Sequence, residues 1–191
     1  MDHLHALDYS LDQLHDVIES SAGADLETAS NCEPWTVRRL ASHALNNQLF
    51  WAGLVTGEQL ADFASTMGAA PIAGDLAPVA ANVRVLAAAR WRAEGVFEAL
   101  HETPLGTVPG SVVVNFAIID ALAHAWDVAS SLGAPIEFAG SELKWIGDVV
   151  AATCTADAVD HGLIKPPAEV PADATETERL MAAAGRRIPR E

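Results

Sequence analysis

Hydrophobic positions recur along most of this chain at three- and four-residue steps, the period of helices buried on one side. Leu4, Leu7, Leu11, Leu14 and Ile18 form one such stripe, which predicts a first helix over residues 2–22, ending at Gly23. A second helix opens with Thr36 as N-cap, and Trp35 and Leu40 hold the two positions of a hydrophobic staple around it. Its apolar face runs through Val37, Ala41, Ala44, Trp51 and Val55 to Gly57. The pattern predicts a third helix from Pro78 to His101, a fourth over residues 111–132, a fifth from Ser141 to Val159 and a short last one over 175–184. Residues 58–76 contain Gly68, Pro71 and Gly74 and read as a loop long enough to cover a cleft. Residues 103–110 are turn-rich, with room for a short extended piece.

Long helices joined by short links predict an all-α fold, an antiparallel up-down-up-down four-helix bundle with additional short helices. Residues 1–165 are expected to form the bundle, and 166–191 a proline-led tail with a short helix packed on the same domain.

Composition narrows the partners. The chain has 191 residues, half of them hydrophobic, and carries 26 acidic against 11 basic residues, a formal net charge of −15. Such a surface repels phosphate backbones and anionic headgroups, so a small molecule is the expected partner rather than nucleic acid or a membrane. No run of eighteen apolar residues predicts a membrane span, and the acidic N-terminus lacks the basic and apolar regions of a signal peptide. Cys32 and Cys154 form no CxxC pair, which fits a reduced, cytoplasmic protein. A homodimer is left open.

Chemistry concentrates in the predicted fourth helix, NFAIIDALAHAWDVASSLG. Asp120 and His124 are four apart and share one face, and Asp127, three beyond His124, lies on it too. A carboxylate in the apolar run AIIDALA is costly to bury unless something neutralises it, and a metal ion would do so. A third ligand has to come from another helix. His43, between apolar positions of the second helix, is the best candidate, with Asn47 one turn further on. Two imidazoles and a carboxylate leave coordination positions open, as in catalytic zinc sites, and the same set suits iron or nickel. The competing explanation is plain: His43 and His124 as hydrogen-bonded core histidines, and Asp120 paired with Arg38, Arg39 or Arg90.

The remaining candidates have simpler explanations. His3, His5 and His15 fall on a solvated face of the first helix, His101 at the end of the third, and Asp160–His161 after the fifth. Cys32 is either a reactive thiol or, like Cys154, a small buried hydrophobe. Trp51, Trp91, Trp126 and Trp145 read as core. No GxGxxG, P-loop, GxSxG or HExxH motif is present.

Three segments together resemble a known family. NCEPWTVRRLASHALNNQLFWAGLVTG, IIDALAHAWDVASSLG and the closing LMAAAGRRIP resemble, in that order, the signatures of actinobacterial metal-binding proteins related to mycothiol-dependent maleylpyruvate isomerase and, more distantly, to DinB. The resemblance implies a DinB-like bundle with a divalent metal, zinc or else nickel or iron, held by His43, Asp120 and His124. It also implies a low-molecular-weight thiol such as mycothiol as cosubstrate. The isomerase branch carries glutamate where this chain has Asp120, and a further C-terminal domain where this chain has a short tail.

Three functions compete at this level. The first is a metal-dependent enzyme that uses a mycothiol-like thiol for transfer or isomerisation, with Asp127 as a candidate catalytic residue that orients His124 or carries a proton. The second is a non-catalytic small-molecule binding protein. The third is a metal-assisted hydrolase with Asp127 as general base.

Overall fold

The computed structural model describes residues 2–67, 70–103 and 106–189. The first helix, α1 (His3–Ser20), starts on the side chain of Asp2, which accepts from the amides of Leu4 and His5. The second, α2 (Val37–Thr56), starts on Thr36, whose hydroxyl accepts from Arg39 N, and ends at Gly57 with φ 72°. A single turn, α3 (Phe63–Thr66), interrupts the following link.

The third long helix, α4 (Ala77–Arg90), is shorter than its sequence pattern predicts. Trp91, fully buried, ends its apolar stripe, and the chain turns through Gly95 at φ +75°. Strands β1 (Leu100–Thr103) and β2 (Gly106–Pro109) then pair antiparallel, with His101 opposite Val108. His101 therefore sits on a hairpin, not at a helix end, and residues 103–110 contribute one of two strands rather than an isolated extended piece.

The central helix, α5 (Gly110–Ser131), is where the pattern places it. It is long and apolar enough to cross a membrane by composition, yet 78% of its most apolar window is buried inside the bundle. The predicted fifth helix is two. Helix α6 (Gly140–Thr153) stops at Cys154, and Thr155 caps a new turn, α7 (Ala156–Asp160), by accepting from Ala158 N. The last helix, α8 (Glu176–Ala183), opens with a reciprocal capping box between Thr175 and Glu178.

Helices α1, α2, α4 and α5 form the bundle, with α1 and α2 each packed against both α4 and α5. One core layer joins Leu14 and Ile18 of α1, Leu40 and Leu45 of α2, Ala80 of α4 and Ala125 of α5. The other joins Leu7, Ala52, Trp91 and Ile118, and adds Met181 and Ile188 from the C-terminal segment. Each large aliphatic side chain buried there contributes roughly 1.5–3 kcal/mol.

The layers also fix direction. The C-terminal half of α1 meets the N-terminal halves of α2 and α4 and the C-terminal half of α5. Thus α1 and α5 run together, against α2 and α4, so the order is up-down-down-up rather than strictly alternating. The reason is the link over residues 57–76. Its described parts lie back along α2, where His43 contacts Thr66 O and Arg38 donates to the carbonyls of Ile72 and Gly74, and so α4 is delivered parallel to α2.

Candidate metal centre

Three of the sequence-derived residues meet where α2 crosses α5. His43, Asp120 and His124 each offer a ligand atom, and these atoms lie within 4.8 Å of one another. The Nε2 atoms of His43 and His124 face each other at 3.1 Å, and His124 Nε2 lies 3.5 Å from Asp120 Oδ1.

The outer nitrogens decide what these inner ones can be. His43 Nδ1 contacts the backbone carbonyl of Thr66 in α3. A carbonyl only accepts, so Nδ1 carries the proton. His124 Nδ1 lies 3.2 Å from Asp127 Oδ2, which likewise places a proton on Nδ1. The two Nε2 atoms are therefore the ones that face inward, beside a carboxylate oxygen, and Asn47 Nδ2 also lies 3.2 Å from His43 Nε2. A proton on His124 or a metal ion can supply the positive charge this group favours. Two nitrogens bound to one zinc ion stand roughly 3.3 Å apart, so the observed spacing fits a shared ion with little adjustment.

Among the described residues no arginine makes an ion pair with Asp120. Its oxygens accept from Asn47 Nδ2 at 2.9 Å and from Gln48 Nε2 at 3.0 Å. Gln48 is fully buried and also donates to Ala117 O. These amides hold the carboxylate toward His124 without supplying positive charge.

Proton affinities follow from the same contacts. Burial, with the charge of His124 beside it, pushes His43 down to about 4, so it is neutral at ordinary pH. Burial alone would lower His124, but Asp120, Asp127 and their hydrogen bonds outweigh it and hold the imidazole well above its usual value. Burial alone would raise Asp120, but His124, His43 and Asn47 hold it below the usual carboxylate range. Without a metal, one proton on His124 supplies the missing positive charge.

Asp127 is completely buried and lies behind His124. Its carboxylate accepts from Asn31 Nδ2 at 3.0 Å, from the Cys32 thiol at 3.2 Å and from the Arg186 guanidinium, which makes an ion pair. Burial alone would raise its pKa, but Arg186 and His124 prevail and bring it down to about 2. The loop before α2 presents Asn31 and Cys32, and is closed by the bonds Ser30 N to Trp35 O and Val37 N to Thr28 O.

Cys32, His124 and Asp127 form a second group of ligand atoms close enough for a metal. The Arg186 guanidinium already occupies it, donating to both Cys32 Sγ and Asp127. A second cation there would meet a buried positive charge. A third group, His15, Asp16 and Glu19, lies on the outer face of α1.

The sequence patterns missed Arg186, Asn31, Gln48 and the Thr66 carbonyl. Arg186 had a signal, since it belongs to the LMAAAGRRIP segment, but nothing local said that it reaches Asp127. The Thr66 carbonyl had none, because any residue supplies one.

Fold and site together define a helical-bundle protein whose candidate centre is built from two histidines and a carboxylate. The chain belongs to the family described as the mycothiol maleylpyruvate isomerase N-terminal domain, which matches residues 7–129. Its all-α, DinB-like architecture is the one expected of that family. It is also 30% identical, over 138 residues, to uncharacterized protein Rv0738 of Mycobacterium tuberculosis H37Rv and to uncharacterized protein MT0763 of strain CDC 1551, covering 70% of this chain and 69% of each relative. No solved structure matches the chain.

Proposed function

We propose that this protein is a divalent-metal-dependent enzyme that uses a low-molecular-weight thiol, of the mycothiol type, for a transfer or isomerisation. The observation that carries this reading is the inward pair of Nε2 atoms, 3.1 Å apart beside Asp120, with both Nδ1 atoms committed outward. The family's description, which names mycothiol, supports the choice of cosubstrate.

His43, Asp120 and His124 would hold the ion, with zinc the first choice and nickel or iron the others. Once bound, it would supply the positive charge that favours the thiolate of a thiol beside it. Asn47 and Gln48 keep Asp120 aimed inward. Asp127 keeps His124 in the Nδ1–H tautomer. Its pKa of about 2 and its contact with Arg186 make it an orienting anion and a poor proton carrier. That weighs against the hydrolase reading, which needs Asp127 as a base.

The test is metal content after purification without chelator, followed by thiol-dependent turnover. Near-stoichiometric metal in the parent, little in His43→Ala, and thiol turnover lost in both the variant and the stripped protein are expected. Equal turnover by parent, variant and stripped protein would sink the proposal.

A further inference from the structure

Arg39 differs from the other arginines described. Six of them stand against carboxylates, and Arg179 donates to the carbonyl of Ala172. Among the described residues Arg39 has no such partner, and its Nε is buried without a hydrogen bond. In a chain with 26 acidic and 11 basic residues, Arg39 is one of the few cations among the described residues that no carboxylate neutralises.

Its position ties it to the metal centre. Arg39 precedes His43 by one helical turn on the same face of α2. Its guanidinium lies over the Trp35 ring, 5.4 Å from the centroid, and that ring packs on His43 with centroids 4.7 Å apart. Trp35 is thus a shelf shared by the guanidinium and a ligand imidazole. Both Arg39 and Trp35 are partly exposed. With the guanidinium over the ring and its Nε buried, the two terminal amino groups are the part that can meet a carboxylate in charge-assisted hydrogen bonds.

We propose that Arg39 is a carboxylate-binding position of this site, selecting a ligand that bears a carboxylate beside the group engaged at the metal. The proposal rests on the metal reading above and adds a substrate class to it. The carboxylate could belong to the thiol or to the molecule the thiol attacks, and the two sources are separable.

The experiment uses cobalt(II)-loaded full-length protein, whose visible bands report ligands at the metal. Three probes are titrated: glutarate, 3-mercaptopropionate and 2-mercaptoethanol. The parent should bind 3-mercaptopropionate about tenfold more tightly than 2-mercaptoethanol, as one charge-assisted contact allows. Arg39→Gln should remove that preference and leave 2-mercaptoethanol unchanged, while Arg39→Lys should keep part of it. A matching tenfold loss for glutarate assigns the carboxylate to the second substrate. A loss confined to 3-mercaptopropionate assigns it to the thiol. Cobalt bands with no carboxylate preference, or a preference intact in Arg39→Gln, overturn the role of Arg39 alone. Absence of cobalt bands overturns the metal reading, and this proposal with it.

Discussion

Arg186, near the end of the chain, makes an ion pair with Asp127 of the central helix, and both side chains are almost completely withdrawn from water. Asp127 in turn accepts from His124 Nδ1. A residue outside the four-helix bundle thereby helps set which nitrogen of a candidate ligand faces inward. The C-terminal segment that carries Arg186 also packs Met181 and Ile188 into the main core, so the guanidinium is delivered by hydrophobic docking and not by its own charge alone.

Removing one member of this pair should cost more than the pair is worth. Arg186→Met leaves Asp127 buried with only His124, Asn31 and Cys32 as donors, and breaking a buried pair from one side typically costs about 3–5 kcal/mol. For a chain of this size that is a fall in Tm of roughly 10 °C. The double variant Arg186→Met/Asp127→Leu should recover part of the loss, because no unpaired charge remains. Thermal unfolding of the three proteins checks this. A single variant as stable as the parent would show that the pair is not buried in solution.

Acid should act through the same carboxylate. Asp127 has its pKa lowered from 3.8 to about 2. A depressed carboxylate stabilises the fold fully above its unfolded pKa, and that contribution disappears as pH falls through the folded value. The parent should therefore lose stability more steeply between pH 3.8 and about 2 than Asp127→Asn does, whatever the difference between them at neutral pH. Denaturant midpoints measured across that window decide it, and parallel curves would exclude Asp127 as the source.

How far sequence reached depends on whether each signal is local. Thr36 with its Trp35–Leu40 staple, and Asp120 with His124 four residues on, are local patterns that map directly onto helix geometry, and both helices start and pack as those patterns require. His43 as the third group followed from an unexplained polar residue on an apolar face. The helix directions did not follow, because they depend on contacts between α2 and the link to α4, such as Arg38 with Gly74 O. The hairpin at His101 was hidden because the apolar stripe of α4 continues to Trp91 and nothing before Gly95 marks a stop. Arg186 and Asp127 are 59 residues apart, beyond any periodic pattern.

Gly185 places Arg186, and its replacement separates backbone strain from packing. Its φ is +77°, and a Cβ would meet the Lys165 carbonyl oxygen at 2.5 Å. Gly23 has a similar φ of +85° with nothing within 4 Å of such a Cβ. Gly23→Ala should cost only the left-handed penalty of roughly 1–2 kcal/mol. Gly185→Ala should cost clearly more and also weaken metal binding, since relief of the clash displaces the segment that carries Arg186. Equal destabilisation by both, with metal affinity unchanged, would show that the segment tolerates the shift.

Metal affinity should rise with pH in a way that reports on His124. Its pKa is held well above 6.5 in the metal-free protein, so near neutral pH a metal ion must displace its proton to reach Nε2. Below that raised pKa the apparent association constant should increase about tenfold per pH unit, and above it the curve should flatten. His43 adds little to this slope in the neutral range, because its pKa lies at about 4 and it is already unprotonated there. Competition against a chelator of known affinity, from roughly pH 5.5 to 8.5 and corrected for the chelator's own protons, gives the slope. In Asp127→Asn the proton on His124 loses one of its stabilising carboxylates, so the flattening should move to lower pH. A flat profile in the parent would mean that His124 Nε2 is not a ligand.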